Sequence, residues 1–286
     1  MLAPASATMR AIASRPSCVL LHQRSLRNLN RYRRWLGTGK KTILSTRGVL
    51  ESSNGAPSGG LVKKRKIVEH IILLRANPNI SDAEEKDMLD YLYTSQYQMR
   101  GILAVSLGRI EEPNCEKFTH AVFMRFQQKE DIAEFQSCAY YSKILDEHVK
   151  PVSYGSVSVD FESEVEDDII PLFRRGEDFN YGVEFMLLIS FLETASREAM
   201  EDASSSLQRL ISQCSSFIVQ ATCGRCLNLE NGYSHAAVIR FPSFDDFKLF
   251  RESNEYKDMW ASKFHPIVEK SLQLHFTVDP VGNQLM

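Results

Sequence analysis

Two histidines and two tyrosines recur at one spacing in this chain, and acid–base or ligand-binding chemistry would fall to them. His120 stands in THAVFMRF and His235 in SHAAVIRF, 115 residues later; Tyr141 and Tyr256 follow at the same interval. Imidazole changes charge near neutral pH and can donate or accept a hydrogen bond. His120 and His235 thus have two readings. Either is a polar group in a barrel mouth donating to a bound ligand, or a buried ring satisfied by backbone or a neighbouring side chain, which is the favoured reading. Tyr141 and Tyr256 either line a pocket entrance or close a helix onto a sheet. Arg125 and Arg240 are expected to face solvent or a strand carboxylate rather than a substrate. Cys223-Gly224-Arg225-Cys226 is a CxxC, a spacing used in redox and zinc sites. With no second pair in the chain and a predicted strand around it, it reads as two ordinary thiols.

The interval that relates these residues runs much further. Without a gap it lays Val68-Glu69 on Val183-Glu184, Ser81 on Ser196, Phe135 on Phe250, Pro151 on Pro266 and Phe161 on Phe276. The chain is a tandem repeat of one domain. In the first copy a strand is expected over 67–75, then a capping box at Ser81 and Glu84 that starts a helix with Met88, Leu89 and Leu92 inward. Strands over 101–110 and 117–126, a helix over 129–149 broken near 137–141, and a strand over 153–161 follow. The second copy repeats this order over 183–278. A βαββαβ unit folds as a ferredoxin-like domain, with two helices on one face of a four-stranded antiparallel sheet. Its other face is rich in Ile and Leu and needs a cover, which a second copy supplies at high effective concentration. The expected fold class is α+β: two tandem ferredoxin-like units closing a dimeric α/β barrel as an intramolecular pseudo-dimer.

Charge separates the chain into two regions. Residues 1–60 carry ten Lys and Arg against one acid, Glu51, a net of +9, whereas the remainder carries 24 bases and 35 acids, a net of −11. An Arg-, Ser- and Ala-rich, acid-poor leader has the composition of an organelle transit peptide. A plastid is the expected destination, with the mitochondrion as the alternative. The acidic remainder argues against nucleic acid as a partner, and no apolar run reaches a membrane span. The expected boundaries are 1–60 for transit peptide and flexible linker, 66–163 for the first domain, 164–180 for an acidic linker, 181–278 for the second domain and 279–286 for a polar tail.

VEHIILL after a basic lead, FTHAVFMRF before a helix, Phe135 and Tyr141 six apart in that helix, and a closing strand after Pro151 resemble the stress-response dimeric α/β barrel family. The tandem form with a leader resembles its plant two-domain members. The resemblance implies a stress or defence association, often without established chemistry; a homodimer of the whole chain is a separate expectation. In the polyketide-cyclase branch of the family, a histidine base and an orienting tyrosine carry out an aldol-type ring closure. Those positions match Tyr141 and Phe135 here, and Tyr256 and Phe250 in the second copy, so both functional groups are replaced; a tyrosine titrating near 10 is no base at neutral pH. His70, His120 and His235 do match the family's strand histidines, while Phe185 stands in the place of His70. The family also implies a magnesium ion against main-chain carbonyls, by position those of Gln96, Met99 and Ile102, a placement that helix C-terminal carbonyls permit.

The leading expectation is a stress-associated barrel that is non-catalytic or binds a small apolar ligand, with no cofactor beyond the magnesium of the resemblance. An enzyme using His70, His120 and Tyr141 is the alternative. A haem-handling barrel with a strand histidine as axial ligand is a third reading.

Overall fold

The structure is a computed structural model and describes residues 64–166 and 182–278. The expected transit peptide, most of the expected acidic linker (residues 167–180) and the expected tail lie outside the described residues.

The first repeat opens with strand β1 (Lys64–Ala76), an Ile- and Leu-rich run buried along most of its length. Helix α1 (Asp82–Gln98) starts at the capping box: the Ser81 hydroxyl accepts from the Glu84 amide, and the Glu84 carboxylate accepts from the Ser81 amide at 2.9 Å. Such a cap satisfies amides that the first helical turn leaves without partners. Gly101, at φ +86°, turns the chain into β2 (Ile102–Arg109), and β3 (His120–Phe126) returns alongside it. The second helical stretch is split. Helix α2 (Lys129–Ser137) stops at Cys138, whose backbone is extended, and α3 (Ala139–Ile144) runs on through a π turn and a 3₁₀ turn into β4 (Ser153–Glu166).

The second repeat follows the same plan. It comprises β5 (Val183–Phe191), α4 (Arg197–Gln213), β6 (Gln220–Arg225), β7 (His235–Phe241), α5 (Phe244–Glu252), α6 (Asn254–Met259) and β8 (Val268–Thr277). Ser253 stands at its helix break and caps α6 by accepting from the Tyr256 amide at 3.1 Å. The two sheets are antiparallel, ordered β2-β3-β1-β4 and β6-β7-β5-β8. This is the ferredoxin-like order, and both units have it.

Two boundaries differ from the sequence reading. Strand β4 runs to Glu166 and pairs with β1 from Lys64 onward, Lys66 opposite Glu164. The start of the acidic linker is therefore sheet: Ser163 and Val165 point inward while Glu162 and Glu164 point out, and an edge strand of that kind looks like solvated chain when only its charges are counted. The ungapped interval also fails in one place. Gly108 pairs with Ala121 and Gly224 with Ala236, so β2 and β6 are related by 116 residues, not 115. The second copy has one residue more before this strand and one fewer after it.

Helices cover one face of each sheet, and the two bare faces meet. Ile71, Leu73, Phe123 and Phe161 of the first repeat pack with Met186, Leu188, Leu274 and Phe276 of the second in one buried cluster. Within this barrel lie two ion pairs at equivalent positions. Arg125 grips Glu69 through Nε at 3.0 and 3.1 Å, and Arg240 grips Glu184 through Nε at 2.8 Å. All four side chains are buried. Ser106 of the first repeat donates to Glu184 of the second at 2.9 Å, and Thr222 of the second bonds Glu69 of the first. The arginines thus face strand carboxylates, and each carboxylate is tied to both repeats.

The barrel closes along two seams. The Leu227 amide donates to the Asp160 carbonyl at 2.8 Å and the Glu111 amide to the His275 carbonyl at 3.2 Å. Glycine makes each seam close enough: a Cβ on Gly224 would sit 2.0 Å from the Glu162 carbonyl oxygen, and one on Gly108 2.4 Å from that of Thr277. A Gly224→Ala substitution is expected to cost about 1–3 kcal/mol, the usual range for overpacking against an unyielding backbone. Gly155→Ala, whose Cβ would meet only an Arg75 nitrogen at 3.4 Å, is the control. Equal urea midpoints for the two variants would contradict the seam geometry.

Candidate functional site

The strand histidines of the first repeat lie between sheet and helices, each bonded to a carboxylate. His120, at the start of β3, places Nε2 2.6 Å from Glu85 Oε1, with Nδ1 2.9 Å from the Thr119 hydroxyl. Glu85 comes from the inner face of α1 and also receives Arg109, at 2.8 Å through Nε and through a second guanidinium nitrogen. Burial pulls the His120 ring below the ordinary histidine range, against the pull of Glu85. The neutral ring carries its proton on the nitrogen facing the carboxylate. Arg109, through its hydrogen bonds, holds Glu85 below the usual carboxylate range.

His70, on β1, bonds Asp160 of β4 through Nδ1, the two residues being direct partners across the strands. Its ring meets Phe126 and Phe135 edge-on at 6.0 and 5.8 Å. Tyr141 packs on Phe135 with ring centres 4.0 Å apart, and burial pushes its hydroxyl up to about 12. Tyr141 and His70 thus share Phe135, whereas His120 lies apart. Its partner on β1 is Leu74, four residues from His70, or ~13 Å along a strand. The first-repeat trio does not converge on one point.

The second repeat keeps the frame and changes its occupants. His235 repeats His120, with Ser234 Oγ 3.0 Å from Nδ1, and Arg225 repeats Arg109 as its direct strand partner. At the position of Glu85 stands Met200. Here a cavity of about 500 Å³ opens between α4 and the sheet, floored by Ile189, Phe191, Leu207, Ala237 and Phe264. His235, Arg225, Ser204, Ser205 and Gln208 supply its polar groups, with Arg197 and Glu201 paired to each other at 2.7 Å. Burial first, then the Arg225 charge, drive the His235 ring down to about 4. The pair His70 and Asp160 becomes Phe185 and His275, the latter ring packed 4.5 Å from Phe247. Tyr256 donates to Gln273 at 3.0 Å and is pushed up by burial.

The remaining sequence candidates are placed as follows. Cys223 lines the cavity while Cys226 packs into the barrel interior, because residues three apart on a strand face opposite ways. Burial raises both thiols, Cys226 to about 12, which leaves neither as a thiolate. Among the described residues no three His, Cys, Asp or Glu side chains converge as a metal site. Gln96, Met99 and Ile102 surround the turn at Gly101. The Asp131 carboxyl lies against that glycine, but it accepts from the Gln128 amide and side chain at 3.2 Å, so main-chain oxygens would be the donors. No helix among the described residues is long and apolar enough to cross a membrane.

Residues 68–163, which hold the whole His70 and His120 frame, match the model of the stress-responsive A/B barrel domain. The first repeat is a stress-responsive A/B barrel domain. A stress-response A/B barrel domain-containing protein of Arabidopsis thaliana is 22% identical over 218 residues, 74% of this chain and 79% of the relative. Two solved structures share the fold across both repeats. An anthrone oxidase-like protein superposes with TM-score 0.53 at 7% identity, covering 75% of this chain and 91% of its own. A mutant chlorite dismutase of Candidatus Nitrospira defluvii does so with TM-score 0.51 at 8% identity, covering 75% and 92%. In both, one chain supplies a fold the length of the two repeats together.

Glu85, Asp160, Met200 and Arg225 are site residues that sequence reasoning passed over. The capping box did place Glu85 one turn into the helix, on the line of Met88 and Leu92, and a carboxylate on an inward line is a signal that it has a buried partner.

Acid stability follows from the buried rings. His120, His235 and His275 all have lowered values in the fold, so the unfolded chain takes up their protons first, near pH 6.5. Their contribution is complete above that pH and is lost as pH falls toward the folded values, about 4 for His235. The urea midpoint is expected to drop between pH 7 and pH 4.5, and less steeply in His235→Phe. An unchanged slope in that variant would show that the His235 ring is not held neutral by the fold.

Proposed function

We propose that this chain is a stress-associated A/B barrel that binds one small, largely apolar molecule in the second repeat and does not run cyclase-type acid–base chemistry. One observation carries the reading: the cavity of about 500 Å³ opens in the second copy at the place where Glu85 reaches His120 in the first. That volume lies within the range of small-molecule sites, and the mixture of apolar floor and few polar groups is typical of them. The enzyme reading has less support. His70 and His120 are each bonded to a carboxylate, and Tyr141 titrates far from neutrality. General acid–base catalysis favours a group poised near the working pH and within reach of substrate.

The test is a neutral, environment-sensitive dye such as Nile red titrated into the purified protein. One dye per chain is expected, with at least ~10-fold weaker binding in Ser204→Phe, which fills the cavity, and no change in His70→Ala. Binding that survives Ser204→Phe and disappears in His70→Ala would move the site to the first repeat and favour the enzyme.

We propose further that the basic leader directs the protein to plastids, as its Ser, Thr and Ala content among ten bases suggests. A fusion of residues 1–60 to a fluorescent protein is expected to mark chloroplasts. Mitochondrial or diffuse fluorescence would refute the assignment.

A further inference from the structure

The first repeat shows what the second repeat's frame is built to hold. His120 and Arg109 are direct partners on neighbouring strands, and between them they grip a carboxylate: Nε2 of the histidine at 2.6 Å and Nε of the arginine at 2.8 Å share Glu85 Oε1, while a second guanidinium nitrogen takes Oε2. A hydroxyl on the preceding residue, Thr119, faces the other ring nitrogen. Every part of this grip recurs in the second repeat except the carboxylate. His235 and Arg225 are direct partners in the same register, and the Ser234 hydroxyl faces His235 Nδ1. Met200 replaces Glu85, and the space beside it is cavity. The acid in that lining, Glu201, is held by Arg197. Arg225 has no ion pair among the described residues, whereas its counterpart Arg109 has Glu85.

We propose that the second-repeat cavity takes a small monocarboxylate with an apolar body, the ligand's carboxylate occupying the place that Glu85 fills in the first repeat. This rests on the ligand-binding reading above and adds the ligand's chemical class to it. The donors are those that hold Glu85: a neutral imidazole N–H and a guanidinium, a charge-assisted pair suited to two carboxylate oxygens. The apolar floor of Phe191, Leu207 and Phe264 receives the body of the molecule. A neutral ligand of the same shape would leave Arg225 without an anion and gain only the floor.

Octanoate and octan-1-ol, matched in their apolar chain, separate the two levels of the argument. In calorimetric titrations of the full chain at pH 7, octanoate is expected to bind at one site, at least ~10-fold more tightly than octan-1-ol, a step typical of a charge-assisted contact. Arg225→Leu, a change at an exposed position, is expected to bring octanoate down to the level of the alcohol and leave the alcohol unchanged. Met200→Glu supplies the carboxylate from the protein itself and is expected to abolish octanoate binding. Glu85→Met, the reverse exchange in the first repeat, is expected to raise the octanoate stoichiometry from one to two. Octan-1-ol binding as tightly as octanoate, or no response of octanoate to Arg225→Leu, would overturn the carboxylate assignment and leave the apolar pocket intact. Failure of both probes together with Nile red would overturn the ligand-binding reading beneath it.

Discussion

A four-stranded sheet with helices on one side cannot stand alone in water, because its other face is as apolar as the first. Everything in this protein answers to that constraint. The second copy exists, in structural terms, to cover the first, and the cover has to be close on all sides. Two glycines at equivalent strand positions let the closing strand of the other repeat approach until backbone meets backbone. At the centre, four charged side chains form two ion pairs, and each acid also accepts a hydroxyl from the opposite repeat. Buried ion pairs are weak sources of net stability, since desolvation offsets most of their attraction. Their effect here is on alignment: a sheet that slipped by one residue would strand a carboxylate against hydrocarbon.

With the frame fixed this firmly, the helix-facing sides of the two sheets have been able to diverge. The first repeat has filled its side with polar pairs, His70 with Asp160 and His120 with Glu85 and Arg109. The second has replaced three of those five residues and kept the histidine and arginine that face the cavity. The copies share backbone geometry almost throughout and differ in what a small molecule would meet beneath the first helix. Function is read from that difference.

The fold was legible in the sequence because its signals are local or periodic. The repeat interval, the Ser81 and Glu84 box, and the break in the second helical stretch each act over a few residues. The site was less legible, for reasons of distance. His70 and Asp160 are 90 residues apart and meet only because β1 and β4 are neighbours. Glu85 and His120 meet only because α1 packs over β2, the strand beside β3. Arg225 was hidden by the one-residue shift of β6, since the constant interval lays it on Ile110 rather than Arg109. The cavity has no motif at all. It follows from one unremarked exchange, Glu85 for Met200, on the inner line of a helix.

The unequal copies also set the form of the protein's response. A barrel built from two identical subunits presents two equivalent pockets, and whatever one pocket does to the shared interior can be felt by the other. With Glu85 in one pocket and Met200 in the other, only one of this barrel's two equivalent positions is left open, and a ligand there would have no matching second site to influence. Under the proposed binding, saturation would follow a simple hyperbola spread over about two decades of ligand concentration, the curve of a gauge rather than a switch.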